Sequence, residues 1–338
     1  MLTTLTSITD AQSTEGNGLD ALPGYFEGLM GHRRFRAMNT DIQVFTKDSC
    51  RSDMLRRAER IFHDLESRLS RFLADSELSV LNSQSGAEVA VSPELLRVLE
   101  IAREFCHTTG GVFDPAVLPY LEAAGYDRSF ELIPAHSPDC MPGPIPRAVG
   151  SIAEVRLDSR RRTVRAPRGV RLDLGGVGKG YAVDKAAAGM AEVNDFLIDA
   201  GGDIFASGSG PDDRGWLVSV ANPLDDEEDI ALLRLHNQAL ATSTVAVRYW
   251  MKGGRTFNHL IDKRTGRPID NDIVSVSVVA PSAVAADVLA KTAVMLGYDE
   301  GSSMLESQRV EGLFVFADYS RHYTAGWRGE EPVTPVGE

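Results

Sequence analysis

Positive charge is what this chain has least of: 35 Lys and Arg stand against 48 Asp and Glu, a formal charge of −13. Such a balance disfavours a nucleic-acid or anionic-membrane partner. It leaves room for a local basic pocket around a phosphate. Cysteine is scarce, with Cys50, Cys106 and Cys140 far apart and no Cys-x-x-Cys. They read as reduced thiols in a cytoplasmic protein. No run of about eighteen apolar residues is present, so no transmembrane helix is expected. Met1 to Gly31 is rich in Thr, Ser and Gly, without a basic region leading into an apolar core. It reads as neither a signal peptide nor a lipoprotein leader, and residues 1–30 are expected to form a disordered or loosely docked tail. Internal repeats and low-complexity tracts are also missing.

What is present is the composition of a globular protein, 43% hydrophobic and 25% charged over 338 residues, enough for one large two-lobed domain or two ordinary ones. Arg34 to Thr46 alternates as a strand. Asp53 to Arg71 carries an apolar stripe through Leu55, Ala58, Ile61, Phe62, Leu65 and Leu69, which predicts a helix. Ser76 is placed to cap a short helix, with Ser79 and Asn82 facing back toward the turn. Ser92-Pro93-Glu94 opens another helix, ending before Gly110-Gly111. Ala116 to Ala124 reads as helical, and the proline-rich Arg128 to Gly150 as a loop. Ser151 to Arg171 predicts two short strands around an Arg-rich turn. Strand, turn and strand are expected over Asp195 to Ile204, and strands at Trp216 to Val220, Leu232 to Thr242, Asn258 to Ile261, Ile273 to Ala280 and Glu311 to Asp318. Asp225 to Asp229 reads as an acidic surface loop, and Ser282 to Gly297 as an Ala-rich helix. Helices mixed with meandering strands predict an α+β fold.

One stretch stands out: Leu172-Asp173-Leu174-Gly175-Gly176-Val177-Gly178-Lys179-Gly180-Tyr181-Ala182-Val183-Asp184. Four glycines lie between a strand and the Ala-rich helical segment Lys185 to Glu192. Backbone without Cβ atoms can approach a ligand closely, and N–H groups at a helix start favour an anion such as a phosphate. It is neither a P-loop, because Gly180 follows Lys179 and Asp173 stands at the first Gly position, nor a Rossmann fingerprint, because Tyr181 stands at the third Gly position. Taken alone, the stretch is compatible with a bound phosphate or with a tight turn that binds nothing.

Five segments in order resemble the ApbE family of FAD:protein FMN transferases. They are Met38-Asn39-Thr40; Ser70 to Asn82; Gly111-Val112-Phe113-Asp114-Pro115; Leu172 to Asp184; and Ala241 to Gly297 with Asn258-His259-Leu260-Ile261-Asp262 and Ala286-Asp287-Val288-Leu289-Ala290. The resemblance implies a two-lobed, T-fold-like α+β domain over residues 31–330, followed by a tail at 331–338. It implies FAD and Mg2+, and transfer of FMN through a phosphoester to a Ser or Thr of an acceptor flavoprotein, with release of AMP. Met38 then corresponds to an apolar contact for a flavin or adenine ring, and Phe72 to a ring that stacks on the flavin. Val112, Phe113 and Asp114 would supply backbone groups and a carboxylate to FAD. Gly176, Gly178 and Lys179 would hold the pyrophosphate, and Asp184 would lie on the flavin or ribityl side. The Gly178 carbonyl and Asp287 would hold the metal. His259 would be the base or a substrate-positioning residue, and Ser243, Arg248 and Tyr249 match further site positions.

Departures fall on one side of that picture. Asn39 replaces a Gly, and Ser243-Thr244-Val245-Ala246 lacks the family's Gly and aromatic residue. Lys291 stands four residues after Asp287, where a metal-binding Thr is expected, with Thr292 about 100° further around the helix. FMN transfer is the expected activity. The alternatives are an FAD-binding carrier or accessory with altered chemistry, and an FAD pyrophosphate hydrolase.

Overall fold

A computed structural model describes residues 31–47, 52–134, 136–137, 143–147 and 149–332. The expected N-terminal tail, most of the C-terminal one, much of the proline-rich loop, Cys50 and Cys140 lie outside them. Cys106 is a free, buried thiol.

An eight-stranded antiparallel sheet forms the centre. Its spatial order is Gly31–Ala37, Thr40–Thr46, Phe196–Ala200, Asp203–Ser207, Gln238–Thr244, Ile273–Ala280, Glu311–Phe316 and Arg321–Tyr323. One face packs against helices α1 (Ser52–Leu69), α5 (Gly178–Gly189) and α6 (Ala283–Leu296). Before them in the chain come α2 (Glu77–Ser83), α3 (Pro93–Thr108) and α4 (Leu118–Ala124); α7 (Tyr298–Ser307) follows α6. The opposite sheet face buries Leu197, Ile204, Leu240, Val279 and Leu313 against a ribbon of Trp216–Asn222 paired with Asp225–Leu235. Covering on both faces explains why all eight residues of Ile273–Ala280 are buried. A smaller core of Tyr120, Leu121, Tyr126 and Trp250, with Phe72 packed against it, lies apart from the main one. No helix among the described residues is long and apolar enough to cross a membrane.

The α+β expectation holds, with local corrections. The segment Arg34 to Thr46 is a hairpin, turning at Met38 (φ 52°) and Asn39 (φ 63°). Its alternation continues through a two-residue turn whose positive φ values suit Gly or Asn, which is why Asn39 is tolerated there. Asp225 to Asp229 belongs to a strand, not a loop. Leu232 to Thr242 breaks at Asn237 (φ 50°), separating the ribbon from the sheet. The helix α7 was not expected. Ser76, Ser92 and Ser282 cap α2, α3 and α6.

Candidate active site

The Gly-rich stretch is pinned at its start. Asn82 Nδ2 donates to the Leu172 carbonyl at 2.8 Å, and the Leu172 N–H donates to Asn82 Oδ1 at 2.7 Å. Asp173 Oδ1 accepts from the Gly175 N–H at 2.7 Å and tightens the turn. The helix α5 begins inside the stretch, at Gly178, rather than after it, and no side chain caps its N-terminus at Val177.

Three glycines meet three different neighbours. A Cβ on Gly180 would lie 2.6 Å from Val284 Cα, so here the backbones of α5 and α6 touch. A Cβ on Gly178 would meet Met38 Cε at 3.6 Å. A Cβ on Gly176 would meet the Phe113 ring at 3.2 Å and the Lys291 stem at 3.5 Å. Met38, Phe113 and Lys291 therefore gather on the turn, joining three segments distant in sequence.

Charged groups surround it. Lys179 Nζ pairs with the buried Asp203 at 2.8 Å, Lys291 pairs with the buried Asp287, and Arg71 with Asp173. The Arg71 guanidinium lies 4.1 Å from the Phe72 ring centre and 4.5 Å from that of Tyr126, a cation–π arrangement on both rings. Burial and then Arg248, Lys291 and Lys179 push the His259 pKa down to about 3, which leaves the imidazole neutral near pH 7. Burial presses the Lys291 pKa down to about 7, with Lys179 and Arg248 acting in the same direction and Asp203 and Asp173 opposing them. Arg71 Nη2, His259 Nδ1 and Asp287 Oδ2 are buried and find no hydrogen-bond partner among the described residues. Unsatisfied buried polar atoms are rare in folded proteins. Three of them around one glycine-rich turn fit a polar ligand with phosphates, and FAD is such a ligand.

Several predicted residues have other employment. Both oxygens of Asp184 accept from α6, from the Ala283 N–H at 2.7 Å and the Val284 N–H at 3.0 Å. Asp184 thereby joins α5 to α6. Burial raises its pKa to about 6, against those two hydrogen bonds. Asp114 is similarly spent: Oδ1 accepts from the Ala116 and Ile152 N–H groups at 2.9 and 3.1 Å, Oδ2 accepts from Ser151 Oγ at 2.6 Å, and Lys263 pairs with it. Its carboxylate ties the segment after Phe113 to Ser151, Ile152 and Lys263. Ser243 is buried and lies on the helix-facing side of its strand, with Ala239 and Ala241. Tyr249 is exposed at 44%.

The magnesium expectation fails on donor chemistry. Asp287 faces an ammonium, Lys291. The hydroxyl of Thr292 is buried and donates to the Val288 carbonyl at 2.7 Å. Among the described residues no three His, Cys, Asp or Glu side chains come together to hold a metal. The Gly178 carbonyl and Asp287 alone are a poor set for an ion that demands near-octahedral oxygen coordination.

Sequence reasoning assigns no site role to Arg71, Tyr126, Asp173 or Asp203. Arg71 and Asp173 fall inside segments that carry the resemblance; Tyr126 and Asp203 carry no local signal.

The family profile of ApbE matches residues 38–314. A curated FAD:protein FMN transferase from Treponema pallidum is 32% identical over 271 residues, covering 75% of this chain and 74% of its own length. One from Vibrio cholerae is 27% identical over 265 residues, covering 76% and 77%. In fold, the ApbE protein from Thermotoga maritima superimposes with a TM-score of 0.75 at 24% identity, covering 87% of this chain and 97% of that one. The match spans the hairpin turn, the glycine-rich stretch and the α6 site alike, and this chain belongs to the ApbE family.

Proposed function

We infer that this chain does what its curated relatives are named for: it is an FAD:protein FMN transferase, with residues 31–330 as its working unit. The observation that carries the reading at residue level is the set of unpartnered buried atoms on Arg71, His259 and Asp287 around the Gly176 turn. In the reaction, a Ser or Thr hydroxyl of an acceptor flavoprotein attacks the FMN-side phosphorus of FAD. A new P–O bond forms, the P–O bond to AMP breaks, its electron pair leaves with AMP, and the hydroxyl proton goes to a base.

Each residue has a physical task in this scheme. The Gly176 backbone and the Lys179 N–H at the α5 N-terminus receive the pyrophosphate, where oriented N–H groups stabilise negative charge; the Gly178 N–H is already met by the Leu174 carbonyl at 2.7 Å. Lys179 retains donors beyond its pair with Asp203. Met38 and Phe113 provide apolar contact on either side of the turn. Phe72 and Tyr126, bridged by Arg71, offer an aromatic wall. His259 is the base: its Nδ1 lone pair is free, and its low basicity comes partly from Arg248, Lys291 and Lys179. Phosphates bound among those cations neutralise them and raise the imidazole pKa when the substrate is in place. Ser243, buried on the helix side of its strand, belongs with the FAD-binding positions in this scheme. A cytoplasmic location belongs to the proposal and rests on the scarce, widely spaced cysteines of the sequence.

The test is incubation with FAD and a candidate acceptor, read by intact mass of the acceptor and by AMP release. Covalent FMN on a Ser or Thr with AMP in equal amount is expected. AMP release without acceptor modification would mean pyrophosphate hydrolysis instead, and tight FAD binding with neither product would mean a carrier.

A further inference from the structure

We propose that the ammonium of Lys291 takes the place of a divalent cation at Asp287, so that this chain neutralises the FAD pyrophosphate with its own side chains. The proposal rests on the flavin-transferase reading above and concerns the charge that reading requires.

Asp287 lies within α6 with its side chain 1% exposed, and Lys291, four residues on, shares its face with a side chain 12% exposed. A carboxylate so buried requires a positive partner, and the chain supplies one covalently. The lysine does more than neutralise Asp287. Its stem runs along the turn, with Cδ and Cε 3.5 and 3.8 Å from where a Cβ on Gly176 would stand. The amine is thus paired with the carboxylate while its stem lies against the glycine-rich turn. An ammonium has three N–H donors and no acceptor. One donor meets Asp287, and two remain for phosphate oxygens.

The surroundings are arranged for a fixed cation rather than a diffusible one. Lys179 and Arg248 lie close enough for their charges to act on Lys291, as do the carboxylates of Asp203 and Asp173, and Lys179 is itself paired with Asp203; at Asp287 the cation already in contact is Lys291. The Thr292 hydroxyl is buried and donates to the Val288 carbonyl within its own helix. Asp287 Oδ2 lacks a partner among the described residues and remains an acceptor for a ligand hydroxyl. Bond making and breaking are unchanged, because the ammonium supplies charge without taking a proton or an electron.

FAD binding, followed by calorimetry or by flavin fluorescence, tests this without relying on turnover. For the unmodified protein the dissociation constant should be the same, within about twofold, in EDTA and in magnesium chloride. Magnesium titrated alone should give no saturable signal. Lys291→Met should weaken FAD binding by about one to two decades in either buffer, as expected for loss of a charged hydrogen-bond donor. Lys291→Thr should be as weak in EDTA and recover by about tenfold or more in magnesium. Tightening of the unmodified protein by about tenfold in magnesium, or undiminished binding by the Met variant, would overturn the proposal. If the variants do not fold, as judged by circular dichroism, the magnesium comparison on the unmodified protein still decides. Magnesium-independent FAD binding without transfer to any acceptor would support the cation assignment and defeat the transferase reading.

Discussion

Two helix starts lie side by side in this molecule, and they are finished differently. Helix α6 opens under Ser282, whose hydroxyl accepts from the Ala285 N–H at 3.3 Å, and Asp184 covers its first two N–H groups. Helix α5 opens at Val177 with no side-chain cap. The N-terminal N–H groups of a helix require an acceptor. Where the protein provides a carboxylate, as at α6, the helix end is structural. At α5 the Leu174 carbonyl takes the Gly178 N–H at 2.7 Å, and an acceptor for the N–H groups that follow, beside Lys179 and Lys291, is expected from outside. The same contrast separates the glycines of one motif, since Gly180 faces the α6 backbone while Gly176 faces Phe113 and Lys291.

The largest effect is expected where the two helices touch. Gly180→Ala places a methyl 2.6 Å from Val284 Cα. The gain in helix propensity of about 1 kcal/mol is outweighed by separating two packed backbones, and the net loss should be about 3 kcal/mol or more. A drop in melting temperature of about 4–5 °C would register it. A variant as stable as the parent would mean that α5 and α6 do not cross there.

Next comes Asp184→Ala, which leaves the Ala283 and Val284 N–H groups without their acceptor. The expected loss is about 2–3 kcal/mol in chemical denaturation, with FAD affinity in the folded fraction changed by less than about threefold. A large affinity loss at unchanged stability would return Asp184 to the flavin side.

The same carboxylate sets a pH dependence. Its pKa in the folded protein is raised from 3.8 to about 6, so the folded state binds the proton more tightly than the unfolded chain. The stability it contributes is fully present below about pH 4 and is lost as the pH rises through about 6, by roughly 2–3 kcal/mol. His259 acts with the opposite sign: its pKa is lowered from 6.5 to about 3, so its contribution is present above pH 6.5 and is lost as the pH falls toward 3. Subtracting the denaturation profile of Asp184→Asn from that of the parent should isolate the first slope. A flat difference between pH 4 and 6 would contradict the buried cap.

The smallest structural effect belongs to Gly176→Ala, whose methyl meets a ring edge and a flexible lysine stem rather than backbone. Stability should change by less than about 1 kcal/mol, while FAD affinity falls by about a decade because the methyl enters the cradle. Equal effects at Gly176 and Gly180 would erase the distinction between the two helix starts.

Much of this arrangement was legible in the sequence because it is local. Ser76, Ser92 and Ser282 announce their helices because a cap bonds an N–H only three residues on. Ile273–Ala280 reads as a strand because its pattern is carried by its own residues. The spacing of Asp287 and Lys291 placed them on one helix face, and the resemblance brought that face to the phosphates. The destination of a carboxylate was not legible. Asp184 and Asp114 look like ligand-binding acids in the chain, yet their partners are N–H groups 99 and 38 residues away. A carboxylate accepts equally well from a bound hydroxyl or from a buried backbone amide. Arg71 gave no sign of its place between Phe72 and Tyr126, or of its pair with Asp173, because stacking and ion pairing arise only when distant segments pack. The sequence by itself determined the elements, the caps and the glycine-rich turn, through interactions a few residues long. Only the tertiary structure decided which acids are spent on the fold and which polar atoms are left facing the site, because that depends on what each buried group meets across the core.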